Sequence, residues 1–207
     1  MVKNLQCNRK SRSIKAVLGR QVLDIVTSGM YNNPLMVLRE YVQNAADAID
    51  EAIANKRISL DPQKAKIDLD VSGQDRTITI CDNGIGISNV NVEERLGSLG
   101  FSHKEGANRR GFRGIGRLGG LGYCDLLRFE TRTHSREPVA VVEWDGTKLR
   151  TISMDKEKLQ LKDAIKSIAS ISFRRPLAEE SPRFFRVTMV NVQRFHSDVL
   201  MSIKKIK

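Results

Sequence analysis

The hydrophobic pattern changes its period near residue 66, and this change is the strongest constraint that the sequence places on the fold. Before it, apolar residues recur at helical spacing in two segments, from Ile14 to about Ser28 and from Asn33 to about Asn55. After it, apolar and polar residues alternate as in β-strands, first in KIDLDV and TITIC. Two helices followed mostly by strands predict an α+β domain built in layers.

Later segments extend the predicted sheet. SGQD joins the first two strands as a hairpin that ends at Asp82, and four further segments predict strands: LLRFETR, PVAVVEWDG, LRTISM and FFRVTMVNV. Another helix is predicted near Lys156–Ser170. The ending SIKKIK has no stop signal, so we expect residues 1–207 to form a single domain from the N-terminal part of a longer protein.

Composition limits the classes of protein that remain. The 35 Lys plus Arg exceed the 24 Asp plus Glu, and the net charge of +11 suits phosphates, nucleic acid or solubility alone. No run approaches the roughly 20 apolar residues of a membrane span, and the N-terminus lacks a secretory signal, so we expect a soluble, cytoplasmic protein without a membrane partner. The three cysteines and three histidines are scattered, which argues against a metal cage built from them.

The first twenty residues hold six basic side chains and no acidic one. We therefore expect residues 1–13 to form a basic N-terminal arm, either for nucleic acid or simply as a solvated tail.

The second predicted helix has a polar stripe opposite an apolar face. Its start is marked by Asn33 and Pro34, which suit a cap and a first turn. Spacings of four and three place Glu40, Asn44 and Asp47 on one side. The apolar residues are expected to pack on the sheet: Leu35, Leu38, Val42, Ala45, Ile49 and Ile53. The stripe either faces solvent or does chemistry, with a carboxylate to activate water and a carboxamide to bind a hard cation.

A polar and glycine-rich turn, Asp82-Asn83-Gly84-Ile85-Gly86, follows the apolar strand TITIC. These residues would serve any tight turn. Alternatively, a carboxylate at the end of a central strand accepts a hydrogen bond from an amino group such as that of adenine, while the glycines let backbone approach the base.

Seven of the fifteen glycines lie between Gly106 and Gly122. The match to GxGxxG in this stretch does not directly follow a strand, and GK[ST] is missing, so neither a Rossmann nor a Walker A loop is predicted. What remains is a loop rich in glycine and arginine, either a plain surface loop or one that folds over an anion and offers it N–H groups and cations.

Taken together and in this order, the three pieces resemble the GHKL ATPases, which include gyrase, the ninety-kilodalton heat-shock chaperones, histidine kinases and MutL proteins. The segment SGMYNNPLMVLREYVQNAADAIDEA is similar to the HtpG-like chaperone branch, and the likeness covers about Leu18 to Tyr123. The lid differs, because GFS-x-K and GFRG are more similar to MORC and MutL-like members. The family's threonine on a late strand is replaced near Phe185.

The resemblance implies a Bergerat-type two-layer sandwich with a mixed, mostly antiparallel sheet covered on one face by helices. It implies that Glu40 is the general base for water attack, that Asn44 is a magnesium ligand and that Asp47 supports the nucleotide pocket. Asp82 would recognise adenine beside Gly84, Ile85 and Gly86. Residues 103–122 would form the ATP lid, whose phosphate contacts would come from Lys104, Gly114, Gly116, Gly119 and Gly122.

The function implied by the resemblance is magnesium-dependent binding and slow hydrolysis of ATP in an HtpG-like chaperone-type protein. It also implies a homodimer formed through the nucleotide-bound N-terminal region, with a client protein as partner. The alternative is a MORC- or MutL-like nucleotide-gated module that acts on nucleic acid, which the basic N-terminus favours. A histidine-kinase catalytic domain fits LREYVQNAADAID less well.

Overall fold

A seven-stranded antiparallel sheet forms the centre of the molecule. The computed structural model describes residues 12–13, 33–55, 60–97, 116–154, 168–194 and 198–202. The strands are β1 (Arg12–Ser13), β2 (Ile67–Ser72), β3 (Thr77–Asp82), β4 (Cys124–Arg132), β5 (Val139–Asp145), β6 (Ala169–Arg174) and β7 (Phe184–Val192). Their spatial order is β1-β6-β5-β4-β7-β3-β2, and each neighbouring pair is antiparallel.

Helices cover one face of this sheet. They are α1 (Leu35–Ala54), α2 (Val92–Gly97) and α3 (Gly146–Met154), together with a short 3-10 helix, Gly116–Gly122, that we call the glycine segment. The apolar residues of the central strands that point toward these helices form the core, with Ile78, Leu127 and Trp144 almost completely buried. The predicted α+β fold, with helices on one face, is confirmed. Among the described helices, none is long and apolar enough to cross a membrane.

Helix α1 begins as the sequence predicts. Asn33 Oδ1 accepts a hydrogen bond from Leu35 N at 3.0 Å, which satisfies one of the first free amides of the helix. The buried face consists of Val37, Leu38, Tyr41, Ala45, Ile49 and Ala52. The prediction was wrong for Val42 and Ile53, which are 38% and 36% exposed. Instead the helix buries Ala45 and Ala52, whose small side chains allow close approach, and Tyr41, whose hydroxyl finds hydrogen-bond partners in the glycine segment.

Two other local predictions were also wrong. LRTISM belongs to α3 and not to a strand, because Asp145 Oδ1 accepts a hydrogen bond from Lys148 N at 2.8 Å and caps a new helix. The helix predicted near Lys156–Ser170 does not extend to its predicted end, since Ala169 and Ser170 are in β6, where they pair with β5. The sequence analysis missed β6, and pairing with its neighbours decides its conformation.

The first predicted helix, from Ile14 to Ser28, lies outside the described residues, as do residues 156–167 of the later one. Of the basic arm, only Arg12 and Ser13 are described, and they pair with Ile171 and Ser170 at the edge of the sheet.

Candidate functional site

The polar stripe of α1 forms one end of the site. Glu40 is half-buried, and Asn44, one turn later, donates from Nδ2 to Glu40 Oε1 at 3.5 Å. This orientation turns the amide nitrogen toward the carboxylate and directs the carbonyl oxygen away from it. Asp47 is exposed and accepts a hydrogen bond from Gln43 Nε2 at 3.0 Å. The structure therefore brings Glu40 and Asn44 into contact and leaves Asp47 bonded along the helix surface.

The glycine segment lies directly against Glu40. A Cβ atom added at Gly116 would lie 2.5 Å from Glu40 Oε1 and 2.8 Å from its carboxyl carbon. Only glycine lets the backbone come this close without displacing the carboxylate. The described end of the glycine-rich stretch is thus a mostly buried turn, with Gly119 buried and Gly122 half-buried. Lys104 and Gly114 lie outside the described residues.

Tyr41 fastens the glycine segment to α1. Its hydroxyl donates to Arg117 O at 2.9 Å and accepts from Gly120 N at 3.0 Å. The guanidinium of Arg117 donates to Arg95 O near the end of α2, so the segment is held by two helices. The sequence analysis missed Tyr41. Its position between Leu38 and Ala45 on the apolar face is the signal that could have found it, because a buried tyrosine hydroxyl needs a partner.

Asp82 forms the other end of the site. Asp82 is only 3% exposed, although it ends β3 and carries a carboxyl group. Burial raises its pKa to about 7, partly offset by the hydrogen bond that its Oδ1 accepts from Gly84 N at 2.9 Å. Its cross-strand neighbours, Ile67 and Phe185, are apolar. An acid kept from water and bordered by apolar groups is a candidate for recognising a ligand.

The turn after Asp82 is pressed against α1. A Cβ atom at Gly84 would lie 2.6 Å from the carbonyl carbon of Ala48, and Ile85 N donates to Ala48 O at 3.0 Å. Gly86 has a φ of +67°, and a Cβ there would lie 2.5 Å from Arg132 O. Both glycines are therefore required by this geometry, one by close approach and the other by its backbone conformation.

Thr131 on β4 supports the same turn. Phe185 of β7 pairs with Asp82 on one side and with Thr131 on the other. Thr131 Oγ1 accepts from Ile87 N and donates to Phe184 O, both at 2.9 Å. The residue opposite Asp82 on β7 is thus Phe185, and the buried threonine hydroxyl of this region belongs to Thr131, one strand further on. The sequence analysis did not single out Thr131.

Helix α1 connects the two ends. Ala48, which contacts the turn after Asp82, is eight residues beyond Glu40, and a rise of 1.5 Å per residue separates them by about 12 Å. A buried carboxyl group therefore lies at one end of a helix-lined site, while a carboxylate, a carboxamide and a glycine segment lie at the other. This arrangement on a helix-covered antiparallel sheet defines a domain of the GHKL ATPase class.

The comparisons with known proteins agree with this class. The family model described as "Histidine kinase-, DNA gyrase B-, and HSP90-like ATPase" matches residues 31–173, and the chain belongs to that family. Curated relatives include Chaperone protein HtpG of Rhodococcus jostii, 38% identical over 87 residues, and Chaperone protein HtpG of Mycobacterium avium, 39% identical over 87 residues. Each match covers 40% of this chain and only 14% of the relative's length.

Proposed function

We propose that this domain binds and hydrolyses ATP, with magnesium and a nucleotide-driven lid, as part of an HtpG-like chaperone-type protein. The observation that carries the proposal is the placement of Asp82 and of the Glu40–Asn44 pair at two ends of one helix-lined site. The rise of about 12 Å along α1 from Glu40 to Ala48, which contacts the turn after Asp82, suits a nucleoside triphosphate whose base lies at Asp82 and whose phosphates lie at Glu40. The similarity to the HtpG proteins supports the chaperone branch.

At the base end, Asp82 would accept a hydrogen bond from the exocyclic amino group of adenine. The site suits this contact because apolar residues border the carboxyl group, which makes a hydrogen bond there stronger than in water. Gly84, Ile85 and Gly86 would form the adjoining wall, since the two glycines allow the base to approach main chain.

At the phosphate end, Glu40 would orient the attacking water and take its proton. Hydrolysis of a phosphoanhydride needs mainly positioning and charge stabilisation, so one well-placed carboxylate is enough as a base. Asp47 would support the pocket from the same stripe. The lid residues Lys104, Gly114, Gly116, Gly119 and Gly122 would provide the phosphates with a cation and with main-chain N–H groups.

The side chains present fit a magnesium ion. Asn44 presents an uncharged oxygen, the kind of ligand that magnesium accepts together with phosphates and water, and its amide nitrogen is already directed to Glu40. Magnesium, when bound, would neutralise charge on the phosphate oxygens. Asn44 would hold the ion through its carbonyl oxygen, which its hydrogen bond to Glu40 leaves free.

The test separates binding from turnover. Glu40→Ala should bind ATP and ADP with wild-type affinity in calorimetric titrations with magnesium, yet lose nearly all phosphate release, because only the base is removed. Asp50→Asn, which changes an exposed carboxylate on the same helix, is the matched control and should keep both properties. Unchanged turnover in purified Glu40→Ala protein would show that the base is assigned wrongly. Absence of ATP binding by the wild-type chain would refute the proposed function.

The net charge of +11 supports a second candidate, a nucleotide-gated module that acts on nucleic acid. Its signature is DNA binding that weakens steeply as the salt concentration rises, because counterions are released from the phosphates. Failure to bind DNA even at low salt would eliminate this candidate and leave the chaperone-type function.

A further inference from the structure

Arg183, in the loop that precedes β7, contacts the turn after Asp82, which we call the base-recognition turn. Its Nε donates to the carbonyl oxygen of Gly84 at 2.7 Å. Gly84 is two residues beyond Asp82, and its own N–H is the donor to the Asp82 carboxylate. Arg183 is half-buried, and burial lowers the pKa of its guanidinium. A single residue thus connects the 175–183 loop to the carboxylate proposed to recognise the base.

The loop that carries Arg183 is held by an ion-pair network on the face of the sheet opposite the helices. The Glu180 side chain, only 3% exposed, pairs with Arg174 and Arg186. Burial alone would raise the pKa of Glu180, but hydrogen bonds from Arg174, from the Leu177 amide and from Arg186 hold it at about 2. Its carboxylate is therefore ionised and fixes the loop to β6 and β7.

The main chain of the same loop is held separately. Arg132 of β4 donates from Nε to Ser181 O at 2.9 Å and from its terminal nitrogen to Glu180 O at 2.9 Å. Arg183 follows Ser181 by two residues, so its backbone starts from a restrained position. A long side chain on a restrained backbone loses less conformational freedom when it makes a hydrogen bond.

Helix α1 also holds the turn. Gly84 lies so close to the helix that an added Cβ would be 2.6 Å from the Ala48 carbonyl carbon, and Ile85 N donates to Ala48 O. Arg183 holds the carbonyl oxygen of the same residue. The two contacts together fix the position of Gly84 and so the direction of the N–H that orients Asp82.

We infer that Arg183 is a positioning residue for base recognition, acting through Gly84 on the Asp82 carboxylate. This inference rests on the proposed function. Arg183 does not touch the nucleotide in this account. It selects for adenine indirectly, because a displaced carboxylate no longer meets the exocyclic amino group, whereas phosphate contacts about 12 Å away along α1 are unchanged.

Two variants of nearly equal length isolate the hydrogen bond. In Arg183→Gln the side-chain amide nitrogen is the same number of bonds from Cα as Nε of arginine, so the donor is kept and the charge is lost. In Arg183→Met the length is similar and the donor is absent. Isothermal titration with ATP and with GTP, in magnesium buffer, gives the affinity and the ATP-to-GTP preference of wild type and both variants. Turnover at saturating ATP and urea unfolding without nucleotide are measured alongside.

Loss of one such bond is worth about tenfold in affinity. We expect Arg183→Met to bind ATP about tenfold more weakly, to lose part of its preference over GTP and to keep its turnover at saturation, while Arg183→Gln stays near wild type. Wild-type affinity in Arg183→Met would overturn the inference. Equal weakening in both variants would overturn it too, since charge or packing would then be responsible. An Arg183→Met protein that does not fold would assign the residue a purely structural role. Absence of ATP binding by wild type refutes the proposed function itself.

Discussion

Replacing Asp82 with asparagine tests whether the buried carboxylate at this position destabilises the fold. Burial raises the pKa of Asp82 to about 7 from an ordinary value of 3.8. Below 3.8 both the folded and the unfolded chain hold the proton. Between these values the folded chain holds a proton that the unfolded chain has lost, so the free energy of unfolding falls as the pH rises toward 7. Above about 7 the loss is complete.

The magnitude follows from the difference between the two pKa values. About 3 pH units at 1.36 kcal/mol each correspond to a loss of about 4 kcal/mol, an upper value because any water that reaches the carboxylate reduces it. Asparagine has nearly the same shape, is neutral at every pH and still offers Oδ1 to Gly84 N. We therefore expect Asp82→Asn to be more stable than wild type by up to about 4 kcal/mol at pH 8, with the advantage disappearing near pH 4.

Urea unfolding followed by circular dichroism, without nucleotide, at several pH values between 4 and 8 measures this difference directly. Asp70→Asn, an exposed carboxylate on the neighbouring strand β2, is the matched control and should show no such pH-dependent gain. The same Asp82→Asn protein should lose ATP binding in calorimetry. One carboxylate oxygen is replaced by an amide NH2 group, which is a donor and cannot accept a hydrogen bond from the amino group of adenine. A stability difference that stays constant from pH 4 to pH 8 would refute the reasoning about burial.

Two further substitutions address the contact between α1 and the glycine segment. Gly116→Ala should reduce ATP turnover about tenfold or more, because the added methyl displaces the Glu40 carboxylate. Its cost in unfolding free energy should be about 1 kcal/mol, the low end for overpacking, since the methyl meets the movable end of a side chain. Gly84→Ala is the contrasting variant, because there the methyl meets the backbone of Ala48, and equal destabilisation by both would contradict this account. Tyr41→Phe removes one donor and one acceptor from the glycine segment and should cost about 1–3 kcal/mol in urea unfolding, whereas a cost near zero would show that the two hydrogen bonds are not needed.

The parts of the site that could be predicted from the sequence are those that depend on neighbours in the chain. The start of α1 at Asn33 and Pro34, the stripe of Glu40 and Asn44, and the β2–β3 hairpin ending at Asp82 all follow from periodicity and capping over a few residues. LRTISM shows the limit of the same reasoning. Its short pattern was compatible with a strand, and the cap supplied by Asp145 made it a helix.

Contacts between distant residues decided the rest. Tyr41 is 76 residues from the Arg117 carbonyl that it binds, and Arg183 is 99 residues from Gly84. No local pattern records such pairs, because they exist only after the sheet has brought β3, β4 and β7 side by side. For the same reason the sequence identified Asp82 as a candidate but not its pKa, which depends on how completely the folded chain excludes water from it.

The sequence by itself thus determined helix α1, most of the central strands and the residue types available for nucleotide chemistry, since these depend on short-range spacing. Only the tertiary structure decided which side chains are buried, which glycines lie against Glu40 and Ala48, and which arginine contacts the turn after Asp82. The physical reason is that burial and close approach are properties of packed surfaces. A segment of sequence has such surfaces only after other segments have folded against it.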